Sequence, residues 1–110
     1  MGKINSRRKG ANFERALANI LKEYGFETKR GVQFSQGYNG LTNADVVGIP
    51  GLHIEAKNVE ALNIFKAMEQ SRRDAKENEI PVVIHKKNRT PILVTMDLNN
   101  FVNLWKESHK

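Results

Sequence analysis

A chain of 110 residues is long enough for one domain holding a single sheet and a few covering helices. The absence of cysteine excludes disulfides and thiolate metal sites and suits the cytoplasm, and no apolar run approaches the ~20 residues needed to span a bilayer. Eighteen Lys and Arg against twelve Asp and Glu leave a formal charge of +6, a balance that favours a polyanionic partner.

The chain begins MGKINSRRKG, basic but without the apolar segment of a secretory signal. Residues 1–9, with Lys3, Arg7, Arg8 and Lys9, read as a flexible basic arm, either a solvated tail or a phosphate-contacting one. Residues 10–110 read as the folded domain. Asn12 can cap a first helix, in which Phe13, Ala16, Leu17, Ile20, Leu21 and Tyr24 recur at three- and four-residue steps before Gly25 stops it. Glu14 falls in its first turn beside the apolar stripe, where a carboxylate also favours the helix macrodipole.

Alternation from Phe26 to Phe34 predicts a strand, carrying Lys29 and Arg30 as further basic residues for DNA, and SQGYNGLTN predicts a loop. ADVVGI and LHIEAKNV form two arms of a hairpin with Pro50 and Gly51 at the centre of a type II turn. A second helix is expected over residues 60–78, with Leu62, Phe65, Met68 and Ala75 inward and Arg72 at the edge. PVVIHK and ILVTM follow as strands joined through Arg89-Thr90-Pro91, and Asp97 caps a last helix with an apolar stripe of Leu98, Phe101, Val102 and Trp105. The expected class is α/β: one domain of order αβββαββα, with one mixed central sheet flanked by helices and a parallel return across the second helix.

The chemistry gathers on the hairpin. Along residues 52–57, Leu52, Ile54 and Ala56 share one face, while His53, Glu55 and Lys57 share the other. Such alternation also describes a solvent-facing strand, but flanking apolar elements make this strand central, leaving little room for an idle polar face. Asp45, on the paired arm, supplies a second carboxylate. Two converging carboxylates repel, and a divalent cation removes that conflict. Mg²⁺ needs only one or two carboxylates and keeps positions for water and phosphate, and Lys57 stands where it can stabilise developing charge. His53 and His85 read as sheet residues rather than zinc ligands. The geometry carries a condition. A two-residue Pro50-Gly51 turn pairs Asp45 with Ala56 and sends Asp45 to the face away from Glu55, so the site needs a one-residue shift, a bulge or a sharp bend near Gly48 or Gly51.

Asp45, then Ile54-Glu55-Ala56-Lys57, preceded by the helix KGANFERAL and a Ser35-Gln36-Gly37 loop, resembles the PD-(D/E)XK nuclease superfamily. Within it the chain is similar to archaeal-type Holliday junction resolvases and to small phage-encoded nucleases, over roughly residues 9–95. One departure is Ala44, where the signature has proline. The resemblance implies a restriction-endonuclease-like core and a Mg²⁺-dependent DNA endonuclease, Mn²⁺ substituting, active on branched or four-way junction DNA. Asp45, Glu55 and the Ala56 carbonyl would hold the metal, with Glu14 approaching it directly or through water. Lys57 would stand beside the attacking water, Ser35 would be a loop residue of the site, and Gln70 a polar helix residue lining it, although Gln70 lies off the Phe65–Met68 stripe. A nickase on the same fold and a catalytically silent DNA-binding dimer are the competing readings. Paired nicks on a junction imply a two-fold homodimer. ILVTM and the last helix are the candidate surfaces, unless both simply complete the core.

Overall fold

The computed structural model describes residues 6–31 and 44–110. In chain order they form α1 (Ser6–Glu23), β1 (Lys29–Arg30), β2 (Val46–Val47), β3 (Leu52–Asn58), α2 (Ile64–Asp74), β4 (Ile80–Lys86), β5 (Leu93–Met96) and α3 (Leu98–Ser108). The αβββαββα order is the one expected from the sequence. The strands make one sheet in the order β1-β2-β3-β4-β5. Every neighbouring pair is antiparallel except β3 and β4, which run parallel with Ile54 beside Val82 and Glu55 beside Val83. Helix α2 provides the crossover that a parallel pair requires.

Alternation along β3 divides the interior. Ile54 and Ala56, with Val82 and Ile84 of β4, pack under Phe13, Leu17 and Ala18 of α1. Complete burial of a large apolar side chain contributes about 1.5–3 kcal/mol, so this layer, the larger of the two buried clusters, contributes more than the opposite one. Thr28 ties the helix to the sheet by donating its hydroxyl to the Ala18 carbonyl at 2.6 Å. On the opposite face Ala67 and Met68 of α2 pack against Val83. His53 and Glu55 lie on that second face, between sheet and α2, and both are buried.

Several local expectations are corrected. Helix α1 begins at Ser6, so Arg7, Arg8 and Lys9 belong to its first turns rather than to an arm. Nothing in Arg-Arg-Lys-Gly-Ala interrupts helical hydrogen bonding, and the Asn12 side chain accepts from Arg15 instead of capping. Residues 1–5 lie outside the described residues, as do 32–43, so the Phe26–Phe34 strand is seen only at Lys29–Arg30. Helix α2 is shorter than expected because Asn63 caps it, its side chain accepting from the Lys66 amide at 3.1 Å. Its buried face is Ala67, Met68 and Ser71, leaving Phe65 79% exposed. Asp97 occupies the N-cap position of α3, but its carboxylate is taken by Arg72 in a two-bonded pair at 2.8 and 3.0 Å. That bidentate contact holds the Asp97 carboxyl below its ordinary range. Helix α3 buries no residue, so its apolar stripe does not complete this core.

Candidate active site

The hairpin is where local sequence decides the site. Pro50 and Gly51 form the expected turn: Gly51 has φ +86°, and the Leu52 amide donates to the Ile49 carbonyl at 3.2 Å. A regular ladder from that turn would pair Val47 with Ile54, yet Val46 is the residue opposite Ile54. The extra residue is absorbed at Gly48, whose φ of +120° is open to glycine alone at no steric cost. A Cβ there would also overlap the Glu27 carbonyl. The one-residue shift on which the site depended is therefore present, and it brings Asp45 level with Glu55.

The Asp45 carboxylate accepts from the Ala56 amide through Oδ2 at 2.8 Å, fixing the acid against β3. Asp45, Glu55, Ala56, Lys57, Glu14 and Gln70 all line one open cleft of about 490 Å³, together with Lys9, Gly10 and Glu60. Five of the six side chains singled out in the sequence for the site thus converge. The sixth, Ser35, lies outside the described residues, as does Lys3. Gln70 reaches the cleft because α2 buries Ala67 and Ser71 in place of Phe65, which turns the helix from the orientation its large apolar residues suggested. Of the basic residues, Lys9 lines the cleft, Arg7, Arg8 and Lys29 are exposed, and Arg30 donates to Glu14 Oε1 at 3.0 Å.

Electrostatics in the cleft are unbalanced. Burial pushes the Glu55 carboxyl above the ordinary range; the hydrogen bond with His53 opposes the rise, and the Asp45 charge adds to it. Glu14 is raised too, first by burial and then by Asp45, with Arg30 and Lys57 acting the other way. Glu14 and Glu55 are thus both held above the ordinary carboxylate range beside Asp45. Their chemistry suits a hard divalent ion: carboxylate oxygens, with a strand carbonyl at hand, are the donors that Mg²⁺ and Mn²⁺ take. A separate trio, His53, Glu55 and Asp74, brings donor atoms within 4.8 Å of one another on the enclosed side of Glu55. There His53 Nε2 already lies 2.9 Å from Glu55 Oε2.

His53 is a residue of β3, as expected, and its imidazole lies against Glu55. Its alternation with Glu55 and Lys57 put it on the right face, but a lone histidine on a strand carries no further signal of a partner. His85 is likewise a sheet residue, in β4, and its Nε2 lies 2.8 Å from the Thr95 hydroxyl.

A family model described as "phage putative PDDEXK endonuclease" matches residues 5–110. No curated protein gives a significant match. Among solved structures, Hjc of Archaeoglobus fulgidus, a Holliday junction resolvase from an archaeal hyperthermophile, superposes with a TM-score of 0.55 and is 24% identical in sequence. The match covers 80% of this chain and 72% of that one, and it shows a shared fold.

Proposed function

The chain belongs to the phage PDDEXK endonuclease family, and from that premise we propose that it is a Mg²⁺-dependent, structure-selective DNA endonuclease, a resolvase of four-way junctions. The observation that carries this reading is the Gly48 shift, which sets Asp45 beside Glu55 on the wall of one cleft with Lys57. Asp45, Glu55 and the Ala56 carbonyl would hold the metal, with Mn²⁺ as a substitute, and Glu14 would lie nearby. When bound, a divalent ion polarises a phosphate and lowers the pKa of water.

The remaining work falls to the chain. Lys57 offers its ammonium to the charge that develops on the phosphate as the water oxygen bonds to phosphorus and the bond to the leaving sugar oxygen breaks. The leaving oxygen takes up a proton and the attacking water gives one up. Gln70, on α2, orients water or phosphate by hydrogen bonding at the cleft rim, and Ser35 would act from the loop. Lys9 extends the cleft with positive charge, and Arg7, Arg8, Lys3 and Lys29 would contact backbone phosphates. Arg30, now bonded to Glu14, would join them only on leaving that carboxylate.

Resemblance to Hjc, whose substrate is the Holliday junction, supports a branched substrate. One cleft per chain then calls for a two-fold homodimer to nick both strands. The test is cleavage of a four-way junction, a linear duplex and a flap, with and without Mg²⁺. Preferential, Mg²⁺-dependent, paired nicking of the junction is expected. Equal cleavage of all three would replace resolution by general nicking, and tight binding without any cleavage would make the chain a silent DNA-binding protein.

A further inference from the structure

We infer that His53 is a positioning residue for Glu55: its imidazole holds one oxygen of that carboxylate so that the other faces the metal side of the cleft. This rests on the reading of Glu55 as a metal ligand.

The inference starts from spacing. Residues two apart on a strand point the same way, about 7 Å from one another along the chain. That is too far for two short side chains to meet, but an imidazole and a glutamate arm together close the gap, and here they do so at 2.9 Å. Both groups are sealed, with relative exposures of 0% for the His53 side chain and 1% for Glu55. A carboxylate buried to that degree needs a donor for each oxygen or a cation. Oε2 has His53, while Glu55 and Asp45 together line the cleft. One oxygen of Glu55 is thus held from within the protein, in a residue that also lines the cleft.

His53 is anchored in its turn. Its backbone carbonyl accepts from the Ser71 hydroxyl at 3.4 Å, and Ser71 also donates to the Val82 carbonyl at 3.0 Å. Its Nδ1 has no hydrogen-bond partner among the described residues, and the nearest charged group is Glu79 Oε1 at 3.7 Å. Asp74 completes the acidic surround from the end of α2. With Glu55 ionised, an Nε2–H donor is present both in the imidazolium and in one neutral tautomer, so the contact does not depend on a titration. Its apolar neighbours on this face are Val83, Ala67 and Met68, so the imidazole finds its polar contact at Glu55.

The test uses the full chain without DNA and titrates Mn²⁺ by electron paramagnetic resonance, alongside the melting temperature of the metal-free protein. His53→Leu is expected to weaken Mn²⁺ binding roughly 10–100-fold, the usual effect of losing a group that orients a ligand. His53→Gln, whose amide can donate to the same oxygen, is expected to recover most of that loss. In the background of Glu55→Gln, either change at position 53 should have no further effect on affinity. Wild-type affinity in His53→Leu, or equal weakening in the Gln and Leu variants, would overturn the inference. Should His53→Leu fail to fold, His53→Gln and His53→Asn carry the test, because the shorter amide cannot reach Glu55; equal affinities in those two would overturn it. Failure of the metal reading itself is distinguishable, since Asp45→Asn and Glu55→Gln would then bind Mn²⁺ like wild type.

Discussion

At Glu55 and Asp45 the proposed chemistry is set against stability at single residues. Holding Glu55 ionised in a buried site beside a second carboxylate is unfavourable, and its raised pKa expresses that cost. A carboxyl raised in the folded state contributes stability that is fully present below its unfolded pKa and is lost as pH rises through the folded value. In the proposed enzyme Mg²⁺ would reverse this by binding the ionised form. Two outcomes are expected at this scale. Mg²⁺ at about 100 times its Kd should stabilise wild type by about 2.7 kcal/mol, and the stabilisation should shrink as pH falls into the range where Glu55 and Glu14 take up protons. Asp45→Asn keeps an oxygen for the Ala56 amide but removes the repulsion. The metal-free variant should therefore melt at or above the wild-type temperature, while losing the Mg²⁺ effect and about 10²-fold or more of the cleavage rate. Thermal melts across pH with and without Mg²⁺ check both. A metal-free Asp45→Asn that melts well below wild type would mean the carboxylate is structural.

At the scale of elements, the hairpin between β2 and β3 is the decisive unit. Its alternation, its Pro-Gly turn and its acids were legible in the sequence, and so was the need for a shift, because the two-residue turn alone gives the wrong face. Which glycine absorbs the extra residue was not legible. Both were candidates, and the choice depends on Glu27 and Thr28 lying against Gly48, a contact made across the sheet. Gly48→Ala should therefore cost stability by about 1–3 kcal/mol through backbone strain, with more from the clash, and should reduce cleavage by unsettling Asp45. Chemical denaturation measures the first effect and a nicking assay the second; a neutral substitution would show that the bulge does not set the register. Helix α2 teaches a related point. Phe65 and Met68 suggested one buried stripe, but the sheet accepts the smaller Ala67 and Ser71 and leaves Phe65 outside. Helical periodicity names the candidate faces, and the volume available above β3 and β4 chooses between them.

For the whole molecule, the apolar surface on β5 and α3 is the outstanding feature. Val94, Met96, Phe101, Leu104 and Trp105 line a groove of about 600 Å³, and Val94, Phe101 and Trp105 are each more than half exposed. Strand β5 is an edge of the sheet, so its outer backbone groups are also open to pairing. A continuous apolar face of this kind suits an interaction surface, and a two-fold dimer of the proposed enzyme would use it. Val94→Asp combined with Trp105→Glu should turn the proposed dimer into a monomer by sedimentation while leaving its circular dichroism unchanged, since Val94 and Trp105 are both more than half exposed. Paired nicking of a junction should become single nicking. If the double variant still sediments as a dimer, the interface lies elsewhere.

By itself the sequence determined the element order, the polar face of β3, and the acids and lysine that mark the family. These are read from period-two alternation, turn residues and residue type, all properties of neighbours along the chain. Tertiary structure alone decided the meeting of Asp45 with Glu55, the turn of α2 that brings Gln70 to the cleft, and the burial of His53 against Glu55. Each depends on which side chains fill the space between sheet and helix, and that is set by contacts among residues distant in the chain.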